Sequence, residues 1–398
     1  MRAVPKAVLG VVVAAINDMA NGHTDSSKGV GCPTIWAMAG ALSLGLVVFS
    51  SVAAVLPENR ADVMYHSYQG GGVKAHGPAL LLREGVGDKA SLAASYYADS
   101  VSGASIDVVT TASPYKDKRD EYGLSGDYLY RDSVLSFNYT TSKESDYLAD
   151  TYSFNVAQEL FGGLTTVNLG YSSGHDTVLR NTDATFEATL DRYQYRVGVS
   201  QIITKSLIMS LNYEAVADDG YLNNPYRSVL LTGGTTLGEK YPTTRDSHAL
   251  AWRVVKGLDL FDKQELRSAI KFDYRYFWDT WDITAHTTEF GYQQYFGKPW
   301  LADWHIRYYS QTKAVFYGDS FPVEFAYMAR DKELSSYSSL SLGAKLTFRF
   351  VDRPTFKVAQ GLAFDYLKFN YDDFTDVRTG ELYSFNAKTL QWFVSFWY

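Results

Sequence analysis

Charged side chains recur at every second position in several parts of this sequence. From Arg267 to Tyr276 the odd positions are mostly charged and the even positions are mostly aromatic or aliphatic, and Trp300 to Gln311 alternates in a similar way. Successive side chains of a β-strand point to opposite faces, so each segment would have one ionic face and one apolar face. Opposed cations and anions on one face of a wall are able to select hydrated solutes by charge.

The same parity identifies a set of candidates for the lining of a polar interior. They are Arg196, Glu214, Arg253, Arg267, Lys271, Asp273, Arg275, Glu289, Asp303, Arg307, Lys345, Arg349 and Asp365. We expect Arg275 and Arg307 to be neighbours across strands and to form a constriction. The alternative for each member of the set is an ion pair between strands that only stiffens the wall.

Motifs for catalysis or for metal binding are weak in this chain. A hydrolase needs a nucleophile close to a histidine, but the histidines are scattered and none lies in a Gly-x-Ser-x-Gly elbow. No spacing matches a zinc site. The single cysteine, Cys32, allows no intrachain disulfide, no haem attachment motif and no iron–sulfur cluster. We therefore predict a protein that is not an enzyme and that has no metal or cofactor of its own.

Strands must position these side chains, and segments with strand-like alternation follow one another along most of the chain. We predict strands at 62–70, 77–86, 89–100, 117–130, 132–143, 147–161, 164–175, 190–202, 205–217, 246–258, 266–277, 281–296, 299–312, 335–350, 356–371 and 384–398. Most reach the ~9 to 11 residues with which a tilted strand crosses a bilayer. Strands of soluble proteins are commonly shorter, although a soluble β protein remains the alternative.

The connections between these segments alternate in length. Short links are expected at 87–88, 131–132, 161–163, 204–205, 296–299 and 351–355, and longer ones at 101–116, 176–189, 218–245, 313–334 and 372–383. Short periplasmic turns and longer extracellular loops are typical of outer-membrane barrels. We therefore predict an all-β fold, an antiparallel transmembrane β-barrel of sixteen strands. Fourteen strands would remain if the first two form an inturned segment around Gly70, Gly71 and Gly72.

Composition and the C-terminus favour a membrane location. The 398 residues include 31 Tyr, and Tyr is enriched at membrane interfaces because its ring is apolar and its tip is polar. From Leu390 to Tyr398 large apolar side chains alternate and an aromatic residue ends the chain, as in bacterial barrels that are delivered to the barrel-assembly machinery. The net charge of −7 argues against a nucleic-acid partner. The predicted partners are outer-membrane lipid and that machinery, in a Gram-negative bacterium.

The N-terminus is predicted to be an export signal that covers residues 1–54. An apolar run from Ile35 to Ala54 ends in small residues that suit cleavage near Ala53 or Ala54. The alternative is a membrane-spanning helix, because the run approaches the roughly 20 residues that a span requires. The leader is unusually long, and Met19 and Met38 are therefore alternative candidates for the translation start. Residues 55–398 would then form one barrel domain.

The loop at 101–116 carries apolar residues and little charge. Ile106, Asp107, Val108 and Thr110 are the candidates for a constriction if this loop folds into the barrel. The alternative is that the loop packs beneath the other loops.

Four short sequence segments resemble those of a known protein family. The segments 102–116 (SGASIDVVTTASPYK), 222–229 (LNNPYRSV), 329–335 (ARDKELS) and 59–72 (NRADVMYHSYQGGG) resemble a family of exported bacterial proteins known only as a domain of unknown function and regarded as outer-membrane barrels. The resemblance covers roughly residues 55–398. It also implies gene neighbours that include a small lipoprotein, a thioredoxin-like protein and a flavin transferase, and hence redox work outside the cytoplasm.

Two functions follow as hypotheses. The first is a porin-like channel for small polar or redox-related solutes. The second is a scaffold without enzymatic activity that holds a periplasmic redox protein or a lipoprotein at the outer membrane.

Overall fold

The computed structural model describes residues 55–103, 115–258 and 267–398. Its strands are β1 (Arg60–Gly70), β2 (Val73–Val86), β3 (Ala90–Gly103), β4 (Tyr115–Tyr130), β5 (Ser133–Lys143), β6 (Tyr147–Leu160), β7 (Thr165–Leu179), β8 (Glu187–Thr204), β9 (Leu207–Gly220), β10 (Ser228–Leu230), β11 (Thr236–Gly238), β12 (Thr244–Leu258), β13 (Ser268–Asp279), β14 (Thr284–Phe296), β15 (Trp300–Gln311), β16 (Tyr337–Arg353), β17 (Phe356–Thr375) and β18 (Leu382–Trp397). A 3₁₀ turn covers Lys332–Leu334. Among these residues, no helix has the length and apolarity that crossing a bilayer requires.

Sixteen of these strands form a closed antiparallel barrel. Each strand pairs with its neighbour in the chain, except that β9 pairs with β12, and β1 pairs with β18 to close the wall. The predicted number of sixteen strands is confirmed, and every predicted segment corresponds to one strand of the wall. The alternative of fourteen strands is wrong because β1 and β2 are both part of the wall.

A tight turn explains the glycine run between β1 and β2. Gly71 and Gly72 have φ angles of +57° and +83°. A two-residue hairpin turn with positive φ at both central positions matches the twist of the flanking strands, and glycine adopts it without steric cost. The run therefore reverses the chain between two wall strands and forms no inturned segment.

The outer face of the wall is apolar along most strands. Leu82, Phe290, Trp304, Leu342 and Trp392 are each between 43% and 57% exposed. Their neighbours in sequence point inward and are mostly buried. A broad apolar surface of this kind is unfavourable in water and suits hydrocarbon, since lipid is the medium in which it costs nothing. The predicted transmembrane barrel with an ionic interior and an apolar exterior is thereby confirmed.

The two rims of the barrel differ. The rim at which β1 begins and β18 ends has short described connections, such as 131–132 and 161–164, and we call it the short-turn rim. The opposite rim carries 221–243 and 312–336, and we call it the long-loop rim. The sequence predicted 218–245 as a loop, but β9 and β12 extend into this range and β10 pairs with β11 between them.

The main apolar core lies at the long-loop rim and includes residues of both long connections. It joins Leu222 and Tyr241 of the first connection with Phe316 and Leu334 of the second. Wall residues of several strands belong to the same buried cluster. We refer to residues 221–243 and 312–336 together as the lid, because they pack into this mouth of the barrel.

Two predicted regions lie outside the described residues. These are the export signal at 1–54 and the constriction candidates Ile106, Asp107, Val108 and Thr110. Both remain predictions.

Candidate functional site

The interior of the barrel carries the charged face that the alternation predicted. With the exception of Arg267, the predicted lining residues lie on strands of the wall, in the parity that faces inward. Strand pairing arranges them in rows around the lumen, so that residues far apart in the chain become neighbours.

One row crosses four consecutive strands. Arg253 of β12 lies opposite Asp273 of β13, Asp273 lies opposite Glu289 of β14, and Glu289 lies opposite Arg307 of β15. The Arg253 Nε atom donates to Asp273 Oδ1 at 2.5 Å, and Arg307 donates to Glu289 Oε2 from Nε at 2.9 Å and from Nη2 at 2.8 Å. An arginine therefore lies at each end of the row, next to one of the two central carboxylates. The two positive charges offset the repulsion between the adjacent acids.

A second cross-strand contact lies beside this row. Lys271 Nζ of β13 lies 4.0 Å from Asp303 Oδ1 of β15, and both side chains are buried. Gly291 of β14 lies opposite Lys271, and a Cβ atom at this glycine would lie 3.4 Å from Lys271 Cβ, an ordinary contact. Because both charges are out of bulk water, their attraction is screened less than that of a surface pair.

A more hydrated group lies on β8, β9 and β13. Arg275 Nη2 lies 3.5 Å from Glu214 Oε1, and these side chains are 30% and 32% exposed. Gln194 Nε2 also donates to Glu214 Oε2 at 2.6 Å, and Arg196 Nη2 donates to Asn155 Oδ1 at 3.2 Å. Water therefore reaches the side chains of Glu214 and Arg275, so these two charges are able to act on a hydrated solute.

A histidine and an aspartate meet across a whole strand. His305 Nε2 of β15 lies 2.9 Å from Asp365 Oδ1 of β17, and Thr389 donates to the second carboxylate oxygen at 3.0 Å. Between them lies Gly343 of β16, where a Cβ atom would be 2.0 Å from His305 Cε1. The contact between His305 and Asp365 therefore requires glycine at position 343.

The same arrangement occurs on the other side of the β1–β18 seam. His66 Nε2 of β1 lies 2.6 Å from Asp99 Oδ1 of β3, and Gly77 of β2 lies opposite His66. The Tyr97 ring stacks on the His66 ring with a centroid distance of 4.9 Å. Neither pair was predicted from the sequence. A glycine inside a strand was the available signal, since it often marks a close approach.

Two further lining candidates lie in the lumen in different surroundings. Lys345 Nζ lies 4.7 Å from the centroid of the Phe393 ring, a cation–π contact. Arg349 lies near the short-turn end of β16, where its Nη1 atom is 2.9 Å from Asp352 Oδ2.

Arg267 directly precedes β13 and is exposed at the short-turn rim, with its guanidinium 5.4 Å from the centroid of the Tyr295 ring, so its place in the lining stays a prediction. One prediction about the lining residues is wrong. Arg275 and Arg307 are not neighbours, because β14 lies between their strands. Arg275 lies opposite Thr287 of that strand and Arg307 opposite Glu289, two residues away.

One group of acidic residues in the described part of the chain has the spacing of cation ligands. Carboxylate oxygens of Asp117, Glu144 and Asp146 lie within 4.8 Å of one another near the long-loop rim. Arg119 Nε lies 4.0 Å from Glu144 Oε1 and supplies positive charge to the same place. The arginine accounts for part of the acidic charge, so this geometry carries no assignment of a metal.

The lid adds a polar core above the lumen. Tyr241 donates from its hydroxyl to Glu239 Oε2 at 2.6 Å. Burial and the Glu239 carboxylate raise the pKa of Tyr241 well above its usual range, so the phenol keeps its proton and remains the donor.

A family model described as "Protein of unknown function (DUF3570)" matches residues 106–370, which is more than half of the chain. The chain belongs to this family. The resemblance in the sequence is thereby confirmed, and two of the words that carried it, 222–229 and 329–335, lie in the lid. A search of curated proteins found no match.

Solved structures with a similar architecture share little sequence with this chain. A bacterial polysaccharide outer membrane secretin is 7% identical, with 87% of this chain and 99% of that chain covered and a TM-score of 0.47. The outer membrane protein OpdK from Pseudomonas aeruginosa is 8% identical, with 85% of this chain and 99% of that chain covered and a TM-score of 0.41. A Pseudomonas aeruginosa FadL homologue is 10% identical, with 86% of this chain and 90% of that chain covered and a TM-score of 0.37. At these scores the likenesses carry no argument about function, and the barrel assignment depends on the strand pairing itself.

Proposed function

We propose that the protein is a channel in the outer membrane of a Gram-negative bacterium, for small polar or redox-related solutes. The single observation that carries the proposal is the hydrated charged wall inside a closed barrel. Arg253 and Asp273 are each 20% exposed there, and Glu214 and Arg275 about a third exposed. A lumen that admits water to fixed charges is the physical requirement for a pore that passes polar solutes.

The outer face supports the membrane part of this proposal. Its apolar side chains would be solvated by lipid, while short turns would face the periplasm and the lid would face the outside. Aromatic side chains cluster on this face, as in the contact of Phe272 with Trp252 at 5.7 Å and with Phe290 at 5.0 Å between ring centroids. The redox character of the solute is supported by the family resemblance alone.

Conductance of the folded protein tests the channel. The chain is refolded in detergent, barrel closure is verified by heat-modifiable gel mobility, and the protein is inserted into planar bilayers. We expect stable conductance steps that a heat-denatured aliquot does not give. A folded sample that inserts and stays silent, in liposome swelling as well, contradicts the proposal.

A second candidate function is favoured by the lid and by the extent of ion pairing in the lumen. A barrel with a packed mouth is suited to a scaffold that holds a periplasmic redox protein or a lipoprotein at its short-turn rim. Copurification from native membranes separates the two functions. A stoichiometric partner together with a silent bilayer favours the scaffold, whereas conductance without a partner favours the channel.

A further inference from the structure

The lid has an inner segment that is buried throughout its length. Each residue from Met328 to Ser335 is buried, including Asp331, Lys332 and Glu333 in the middle. Loops of folded proteins usually run over the surface, because a buried loop must satisfy its polar groups internally. This segment therefore lies inside the long-loop mouth of the barrel and not above it in water.

Polar contacts fix the inner segment to the barrel wall. Gln311 Nε2, at the end of β15, donates to the carbonyl oxygens of Glu333 at 2.9 Å and of Ser335 at 2.8 Å. Arg330 Nη2 donates to the carbonyl oxygen of Thr375, at the end of β17, at 2.8 Å. The inner segment is thus attached to the wall on the side of β15 to β17.

The other half of the lid holds this segment from across the mouth. Lys240 and Met328 exchange two backbone hydrogen bonds, of 2.9 and 2.8 Å, and Phe321 packs with Val229 and Met328 in a small buried cluster. Arg227 forms a buried ion pair with Asp331. These contacts join a connection that leaves β9 to one that leaves β15, so the lid bridges different parts of the rim.

Charge makes the Arg227–Asp331 pair the sensitive point of this bridge. Asp331 is fully buried, and Arg227 is 7% exposed. Neutralising Arg227 leaves the fully buried Asp331 carboxylate without this positive charge in a medium of low dielectric, which opposes the closed arrangement far more than the loss of a surface pair would. The strand ladder of the wall does not depend on this pair, so the lid is the element that would give way.

We propose that the lid is a gate that closes the long-loop mouth, with the Arg227–Asp331 ion pair as its latch. This inference rests on the proposed channel function and concerns its regulation. In the closed state the lid separates the hydrated wall around Glu214 and Arg275 from the outside. Opening requires the halves 221–243 and 312–336 to separate while the barrel stays closed.

Latch variants test the gate by single-channel recording. Arg227→Gln and Asp331→Asn are expected to raise the open probability at least about tenfold relative to the native chain. The double exchange Arg227→Asp with Asp331→Arg restores opposite charges and is expected to return the value toward native. Arg378→Gln is the matched control, because Arg378 is an exposed arginine on the same rim that also pairs with an aspartate, Asp376. Heat-modifiable mobility verifies that every variant is a closed barrel.

A disulfide across the two halves tests the same idea without changing the latch. Lys240 and Met328 lie opposite each other in a hydrogen-bonded pair, where Cα atoms are typically about 5.5 Å apart, within the range of a disulfide. Lys240→Cys with Met328→Cys, in a Cys32→Ser background, is expected to be closed when oxidised and to regain native openings when reduced. Unchanged openings in the oxidised form would contradict the gate.

Removal of the lid separates failure of the gate from failure of the channel. Residues 222–242 and residues 314–334 are each replaced by a short Gly-Ser linker, and the lid-free product is checked for barrel closure. If this barrel conducts as the native chain does, and the latch variants do too, the gate is wrong and the channel stands. If the lid-free folded barrel shows no conductance, the proposed channel function is wrong, and the proposed gate is wrong as well. A lid-free barrel that is open far more often than the native chain supports both.

Discussion

Glycine decides which charged groups meet inside this wall. His305 and Asp365, like His66 and Asp99, belong to strands that are not adjacent, and each pair meets across a glycine of the intervening strand. At Gly77 a Cβ atom would lie 1.8 Å from the Ala98 carbonyl oxygen, so this glycine allows the close approach of two backbones, whereas Gly343 leaves space for the side chains of His305 and Asp365 themselves. A methyl group at position 343 would lie 2.0 Å from His305 and 2.2 Å from Asp365 Oδ1, which is closer than real Cβ contacts.

Gly343→Ala is therefore expected to separate His305 from Asp365 and to destabilise the barrel by roughly 1 to 3 kcal/mol, the usual cost of overpacking. Urea unfolding in lipid vesicles measures the change. Gly291→Ala is the matched control, since its Cβ would be 3.4 Å from the nearest atom of Lys271, an ordinary contact. Equal stability of the two variants would show that the His305–Asp365 contact contributes nothing.

Arg275 is the residue at which solute selectivity is best tested. Arg275→Ala removes a cation from the hydrated wall and leaves Glu214 without this partner. A unit charge about 4 Å from an ion contributes about 1 kcal/mol in water, so the anion-to-cation permeability ratio is expected to fall roughly fivefold. Reversal potentials in a salt gradient measure the ratio. Lys357→Gln, at the short-turn rim, is the control, and an unchanged ratio for Arg275→Ala would remove this residue from the selective wall.

Each wall strand has an apolar outer face and a polar inner face. On the outer face, the position of a residue along the strand sets its depth in the bilayer. On β16 the outward residues Leu346 and Phe350 share one face, but Leu346 is near the middle of the strand and Phe350 is near its short-turn end. Both are about half exposed on the outer surface. If this face contacts lipid, its tolerance for charge must fall toward the middle of the strand.

Leu346→Arg is accordingly expected to destabilise the barrel in lipid by about 2 to 4 kcal/mol, and Phe350→Arg by about 0 to 1 kcal/mol. Denaturant titration in bilayers gives both values. Similar values for the two positions would contradict a bilayer centred on this part of the wall.

Closure is the property of the whole molecule on which the rest depends. Pairing of β1 with β18 joins the two ends of the described chain and leaves no edge of the wall unpaired. In lipid an unpaired strand edge is costly, because no water is present to satisfy its backbone groups. The last strand therefore contributes to the stability of every other strand.

A chain that ends at residue 380, before β18, is expected to lose heat-modifiable mobility completely. Deletion of residues 228–238, which removes the β10–β11 hairpin of the lid, is expected to retain it. Gel mobility with and without boiling compares the two. A compact, heat-modifiable product from the chain without β18 would show that the wall closes in another way.

Local alternation accounts for what the sequence by itself determined. The strand segments, their number, the inward charged parity and the apolar exterior depend on a period of two residues, which is visible within a single strand. The alternation also identified the lining residues from Arg196 to Asp365, apart from Arg267, which lies just outside its strand.

Only the tertiary structure decided which of these residues meet. Register between strands is set by turns and by the closure of the barrel, so it placed Arg275 and Arg307 apart and brought His305 to Asp365 across Gly343. The lid could not be predicted from the sequence either, because Arg227 and Asp331 are far apart in the chain and neither lies in a periodic segment. Contacts between distant loops follow from packing in three dimensions, and no local pattern encodes them.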